Sequence, residues 1–331
     1  MKPEFFIGVD ISKLTLDVAL LQDGMLVKSL KIDNSEKAVK ALLVTFKKEY
    51  RCGPDNVLFC AEQMGLFHTF LAGVLVKKKI ILCLESPLRI KRSLGLQRGK
   101  NDQIDAVRIA QYAYKNYESL LIWQPPRACI EQIKTLSTMR KKLLRIKLML
   151  RNREKTEAYF LSAGAKKEMA ICYEASLKAI KADIKNIEHQ IDTVLKTDEQ
   201  LTHLLTLMTS VPQIGTVIAC EILIHTNEFK NINCPKRFSS YCGIAPFPHQ
   251  SGTSVKGRTR VSHIANKEIK QLMHLAAMGS IRRNNSRFAT YYLRKVAEGK
   301  NKMSVLNAVR NKLVHTVFAC VRENKLYEKR A

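Results

Sequence analysis

Lys100-Asn101-Asp102-Gln103-Ile104-Asp105-Ala106 places two carboxylates three residues apart, at the head of a segment rich in helix formers. Apolar Ala106, Ile109, Ala110 and Ala113 follow at helical spacing, which predicts a helix running to about Tyr114. Positions i and i+3 share a helix face, so Asp102 and Asp105 point the same way, with Cβ atoms about 5–6 Å apart. Like charges so placed repel, although both gain from the positive end of the helix. Taken alone, the pair reads as a solvated helix start capped by Asn101 or Asp102. The other reading is shared coordination of a divalent cation, since hard Mg²⁺ selects carboxylate oxygens and turns the repulsion into attraction. The rest of the chain decides between them.

Upstream, Phe5-Phe6-Ile7-Gly8-Val9-Asp10 is an apolar strand that ends in a carboxylate, and Asn56 to Glu62 repeats the pattern. Between them, Leu14 to Leu21 alternates Leu14, Leu16, Val18 and Leu20 with Thr15, Asp17 and Ala19, the period of a half-buried strand. A third strand spans Met25 to Ile32 after a turn at Gly24. A helix capped by Asn34 or Ser35 follows, with Ala38, Leu42, Leu43 and Phe46 on its apolar face. A helix over Leu66 to Lys78 and a fifth strand over Ile80 to Leu84 complete the pattern. Three strands followed by alternating helix and strand predict a mixed sheet with helices on its faces. Sites form at the carboxyl ends of strands in such sheets. Asp10 and Glu62 stand there, and with Asp102 and Asp105 they make four carboxylates that one fold can gather. Two divalent ions so held would stabilise both attacking and leaving oxygens in phosphodiester chemistry.

The chain of 331 residues carries 56 basic against 29 acidic side chains, a formal charge of +27. That excess repels itself in a compact state unless an anionic partner is the normal condition, and nucleic acid is the leading one. No stretch approaches the ~18 apolar residues of a spanning helix, so no membrane role is expected, and a soluble cytoplasmic protein is. Nine cysteines form no CxxC pair, which argues against a disulfide framework or a zinc site.

The motifs Gly8-Val9-Asp10-Ile11-Ser12-Lys13, Ala61-Glu62-Gln63-Met64-Gly65 and Lys100 to Ala106 resemble, in order and spacing, the RuvC-like domain of the DEDD insertion-sequence transposases. The resemblance implies a ribonuclease-H-like fold over residues 1–122 in which Asp10, Glu62, Asp102 and Asp105 bind Mg²⁺.

Arg89, Lys91, Arg92, Arg98 and Lys100 cluster without an acid between the fifth strand and the Asp pair. They form either a solvated loop or a set of phosphate contacts of the kind that supply most nucleic-acid affinity. Trp123-Gln124-Pro125-Pro126 marks a boundary. Beyond it, Leu136, Met139, Leu143, Ile146 and Leu150 step by three and four, as do Leu177, Ile180, Ile184, Ile187, Ile191 and Val194. Two long helices broken near Ser162-Ala163-Gly164 fit a coiled-coil arm over 127–200. Its first helix is basic, with Arg140, Lys141 and Arg145 among its charges, and reads equally as a solvated face or a nucleic-acid cradle. Ser210 to Ala219 looks like a helix-hairpin-helix element in which Gln213 takes the usual glycine position.

The last stretch of interest is Ser251-Gly252-Thr253-Ser254-Val255-Lys256-Gly257-Arg258-Thr259-Arg260. It reads as a flexible basic loop touching phosphates, or as a nucleophilic hydroxyl whose phosphate is held by Lys256, Arg258 and Arg260. The residues themselves do not choose among Ser251, Thr253 and Ser254. Together with Tyr241-Cys242-Gly243-Ile244-Ala245-Pro246 before it, this loop resembles the C-terminal domain of the same transposases, where the serine matching Ser251 is the nucleophile. The resemblance also implies a structured guide RNA that pairs with target and donor DNA.

The expectation is therefore an α/β plus α chain: a ribonuclease-H-like mixed sheet, a coiled-coil helical arm and a mostly helical C-terminal domain over 201–331. It would act as an RNA-guided DNA transposase, with Ser251 and the four acids forming a composite site and dimers pairing into a tetramer. A RuvC-like metal-dependent nuclease using water, or a non-catalytic RNA-binding scaffold, are the alternatives.

Overall fold

The computed structural model describes residues 2–63, 65–93, 102–157, 159–251, 255–282 and 286–328, without the side chains of 102, 103, 152–157, 166, 169, 170, 249, 251, 255, 256 and 258. The chain forms two compact units, Met1–Pro125 and Pro126–Ala331.

The first unit is built on strands β1 (Phe5–Ile11), β2 (Thr15–Gln22) and β3 (Met25–Asp33), then helix α1 (Glu36–Tyr50) and strand β4 (Val57–Glu62). Helix α2 (Thr69–Lys77), strand β5 (Ile81–Glu85) and helices α3 (Pro87–Ser93) and α4 (Asp102–Lys115) follow. The sheet order is β3-β2-β1-β4-β5. β2 runs antiparallel to both its neighbours, whereas β1, β4 and β5 are parallel. This is the ribonuclease-H-like mixed sheet that the sequence leads one to expect. Asp23 and Gly24, both at positive φ, close the β2–β3 hairpin in a two-residue turn that matches strand twist. Ser35 caps α1, its Oγ accepting from the Ala38 N–H at 3.2 Å, worth about 1 kcal/mol.

Each face of the sheet has its own core. Phe5, Ile7, Val9, Leu16, Val18, Leu20 and Phe59 pack with Val39, Leu42 and Phe46 of α1 and Leu71 and Leu75 of α2. The α1 face thus buries Val39, while the expected Ala38 is only half-buried. On the other face, Phe6, Ala19, Leu21, Leu58, Cys60 and Cys83 pack with Ala106, Ile109, Ala110 and Ala113 of α4. Fully burying a Phe or Leu contributes about 1.5–3 kcal/mol, so both layers matter to stability. This second layer corrects the half-buried reading of β2. Asp17, Ala19 and Leu21 are covered as completely as Leu16, Val18 and Leu20, while Leu14 is exposed before the strand begins.

Gly8 sets how closely α4 lies on β1. A Cβ there would stand 2.1 Å from the Ala106 carbonyl oxygen and 2.3 Å from the Ala110 nitrogen. Only glycine permits that approach.

The second unit begins with the long helices α5 (Ala128–Glu157) and α6 (Ala163–Thr197), which pack on each other. Helices α7 (Glu199–Thr209), α8 (Thr216–Thr226) and α9 (Pro235–Tyr241) follow. Strands β6 (Pro246–Ser251) and β7 (Val255–Val261) form an antiparallel hairpin, and α10 (Lys267–Arg282), α11 (Arg287–Ala297) and α12 (Lys302–Glu323) close the unit. Its core takes Ile130, Ile133 and Leu136 from α5 and Ile191 and Leu195 from α6, together with Met208, Ile222, Met273, Leu313 and Phe318 of the later helices. Farther along the two helices the apolar steps are less covered, and Met139 and Ile146 are exposed. Leu275 also faces solvent, because α10 turns Ile269, Met273, Ala276 and Ala277 inward.

Candidate functional site

Strand register builds a charged row across the whole first sheet. Lys31 of β3 pairs with Asp17 of β2, and Asp17 with Asp10 of β1. One step beyond the Val9–Ala61 pair, Asp10 lies alongside Glu62 of β4, which pairs with Glu85 of β5. Laterally paired residues share a face, and here it is the face covered by α4, which brings Asp105. The row reads Lys31, Asp17, Asp10, Glu62, Glu85 from edge to edge.

Its outer members are compensated. Lys31 Nζ lies 3.4 Å from Asp17, whose side chain is buried. Arg89, in the first turn of α3, donates to both Glu85 oxygens at 3.0 and 3.2 Å and to the Ser119 carbonyl at 3.3 Å. Toward the middle, Asp105 accepts from Arg108 at 2.7 Å. Glu62 has no ion pair among the described residues, and burial, then Asp10, then Asp105 push its carboxyl above the usual range. That response shows three carboxylates bearing on one another. Oxygen donors so arranged suit a hard divalent cation, which would reverse their repulsion. Among the described residues, however, no group of three or more His, Cys, Asp or Glu side chains is placed to hold a metal ion. The fourth acid, Asp102, begins α4, and its side chain lies outside the described residues.

Sequence reasoning missed Asp17 and Glu85. Glu85 ends an apolar strand just as Asp10 and Glu62 do, so its signal was available. Asp17 was hidden because its strand alternates polar with apolar residues, and only α4, far along the chain, covers the polar side.

In the second unit, Ser251 ends β6 opposite Val255, with the Ser251 side chain outside the described residues. The expected flexible loop is therefore largely a hairpin, paired from Pro246–Val261 through Gln250–Lys256 with a register shift between Phe247 and His249. Gln213 occupies the turn between α7 and α8 at φ 67°, a left-handed conformation that glycine favours.

The basic candidates divide. Arg89 is bonded to Glu85, as above. Arg140 donates to Glu188 at 2.8 Å, Lys141 bonds Glu221 at 2.7 Å and Glu268 at 3.1 Å, and Arg145 bonds Glu268 at 2.6 Å. These three also line a cleft of about 420 Å³ with Leu144, Ile191 and Leu272. Lys91, Arg92 and Arg260 are exposed. Arg98 and Lys100, and the side chains of Lys256 and Arg258, lie outside the described residues.

Glu221 of α8 anchors the Lys141 contact. Its residue is 1% exposed, and burial alone would raise its carboxyl. Bonds from His225, Lys141 and Ser137 instead hold it down at about 2. No helix among the described residues is long and apolar enough to cross a membrane.

A DEDD-type IS110 transposase profile matches residues 7–156, and the Transposase IS116/IS110/IS902 family profile matches 205–293. Pilin gene-inverting proteins of Moraxella bovis and Moraxella lacunata are each 24% identical over 328 residues, 98% of this chain and 98% of theirs. An insertion element IS110 protein of Streptomyces coelicolor is 28% identical over 156 residues, 47% of this chain and 37% of its own length. A Thermus thermophilus RuvC structure aligns at 14% identity and a TM-score of 0.28, covering 35% of this chain and 98% of that one. That score is too low to add to the fold, which rests on strand order. With the two profiles spanning well over half its length, the chain belongs to the IS110 family of DEDD transposases, enzymes that cut and rejoin DNA.

Proposed function

We propose that this transposase cuts and rejoins DNA through a serine–phosphate linkage, guided by a structured RNA, with Asp10, Glu62, Asp102 and Asp105 holding Mg²⁺. The observation that carries the metal assignment is the strand register that sets Asp10 beside Glu62 on the sheet face covered by α4, the helix that carries Asp102 and Asp105. When bound there, the ion would neutralise charge on the oxygens of a phosphodiester and lower the cost of its displacement.

The chain's own residues perform the rest. The Ser251 hydroxyl attacks a DNA phosphorus, the Oγ–P bond forms as the P–O3′ bond breaks, and the serine proton is released while the 3′ oxygen gains one. Bond energy is conserved in the linkage, so a second 3′ hydroxyl can reverse the step and join a new strand. Asp17 and Glu85, tied to Lys31 and Arg89, flank Asp10 and Glu62 in the sheet on either side. Exposed Lys91, Arg92 and Arg260 are free to meet backbone phosphates. The +27 charge supports a nucleic-acid complex as the working state. The guide RNA, the pairing of dimers into a tetramer and the cytoplasmic setting belong to this reading through the family resemblance.

Trapping on DNA tests it. Wild type should leave a covalent adduct that denaturation does not release, and Ser251→Ala should leave none. Equal adduct yields from both proteins would remove the serine mechanism and favour attack by water.

A further inference from the structure

Arg310 lies on α12, in a helix that otherwise reads as ordinary amphipathic core, yet it is 7% exposed. A buried arginine is normally held by a carboxylate, because an uncompensated charge is expensive away from water. Here no acid lies within ion-pair distance among the described residues. Arg310 Nη1 donates to the Asn307 amide oxygen at 3.4 Å, Nη2 donates to His274 Nδ1 on α10, and Nε is buried without a partner. Both partners are neutral acceptors. Burial lowers the affinity of Arg310 for its proton, and burial followed by Arg310 does the same to His274.

The His274 contact fixes a tautomer. A guanidinium can only donate, so Nδ1 accepts and the ring proton sits on Nε2, which becomes a second donor beside the arginine. One turn earlier on α10, Lys270 adds another cation. Its Nζ lies 3.6 Å from the point where a Cβ on Gly243 would stand. The cluster is also tied to the serine hairpin. Asn307 Nδ2 donates to the Ile244 carbonyl at 2.8 Å, two residues before β6 begins. Arg310, His274 and Asn307 therefore gather donors beside Ile244, two residues before the strand that ends in Ser251, and Lys270 stands by the preceding Gly243.

We propose that Arg310, with His274 beside it, receives a backbone phosphate of the bound DNA strand at the base of the Ser251 hairpin. A phosphodiester is singly charged, acceptor-only and matched to a guanidinium fork. It would supply the charge that Arg310 lacks and the acceptor that its Nε lacks. The inference rests on the reading of this chain as acting on DNA through Ser251. It adds a phosphate site buried among the helices, apart from the exposed basic side chains named above.

The test uses the full chain as wild type, Arg310→Met and Arg310→Lys. Melting is followed in chloride and in inorganic phosphate at matched ionic strength, and DNA affinity is measured over a salt series. Arg310→Met loses two hydrogen bonds to neutral acceptors but also removes an uncompensated buried cation, so its melting in chloride should change little. It should lose the stabilisation that phosphate gives wild type. DNA affinity should fall about 10- to 100-fold, as expected for one charged hydrogen-bonding group. The slope of log affinity against log salt should shrink by about 1. Arg310→Lys keeps the charge and should retain most of that slope, which serves as the readout if the methionine variant does not fold. A methionine variant that melts lower in chloride yet keeps the phosphate shift and the salt slope would make Arg310 a structural residue and overturn the proposal. So would a loss confined to an RNA strand of the same sequence. If wild type forms no serine adduct while Arg310→Met still loses the phosphate shift and slope, the serine reading falls and the phosphate site stands.

Discussion

Glu62 is half-buried and Glu221 fully buried, and the carboxyls of these two residues of one type move in opposite directions. Glu62 sits at a strand end with Asp10 and Asp105 for neighbours, and its proton is held more tightly than usual. Glu221 sits within a helix, bonded by His225, Lys141 and Ser137, and ionises at about 2. The difference separates two uses of a buried acid. Around Glu221 the folded chain supplies every partner, so the carboxylate is part of the scaffold joining α5, α8 and α10. Around Glu62 the fold supplies more of the same charge, an arrangement that the proposed cation would stabilise.

Asp105→Asn probes that contrast most severely. Losing one acid of the inner group should lower strand cleavage by about 10³-fold, in line with the removal of one electrostatic group at a reacting centre. Melting in the absence of Mg²⁺ should change little, because the repulsion relieved offsets the Arg108 ion pair lost. Wild type should gain stability on adding Mg²⁺ and the variant should gain less. A variant that melts lower and still cleaves would put Asp105 in the scaffold class with Glu221.

Gly8→Ala breaks the first unit mechanically. A methyl 2.1 Å from the Ala106 oxygen must lift α4 from β1, at about 3 kcal/mol, and carry Asp105 away from Asp10. The loss should appear in denaturant unfolding of the whole chain together with a fall in cleavage. A variant that keeps both stability and cleavage would show that the close approach is not needed.

Glu221→Gln should cost less, about 2 kcal/mol, because Lys141 keeps Glu268 as a partner and the amide still fills the space. The acid limb of the stability profile sharpens the assignment. Since the folded value is below the ordinary 4.5, Glu221 stabilises the fold fully above about 4.5 and ceases to do so as pH falls toward about 2. Unfolding measured across that window should be less pH-dependent in Glu221→Gln than in wild type. Identical profiles would mean that Glu221 is not a net stabiliser.

The first unit was largely legible because its signals are local. Apolar runs that end in Asp10 and Glu62, the Asp-Gly turn at Asp23-Gly24 and the alanine face of α4 each announce themselves within about ten residues. Asp17 was not legible, since its burial depends on a helix that arrives some ninety residues later. The β6–β7 hairpin was legible in part. Val255, Gly257, Thr259 and Val261 alternate with Lys256, Arg258 and Arg260, a strand period that the basic composition obscured. Arg310 was out of reach, because one arginine in an amphipathic helix looks the same whether an acid faces it or a histidine does.

The edge-to-edge row from Lys31 to Glu85 has an evolutionary consequence. Side chains on a strand alternate faces, so inserting or deleting a single residue within β1 or β4 would turn Asp10 or Glu62 toward α1 and α2, on the opposite side of the sheet. Changes of length in the connections between strands carry no such penalty. Descendants of this sequence are therefore free to lengthen their loops, while inside those two strands the count of residues is as constrained as their chemistry.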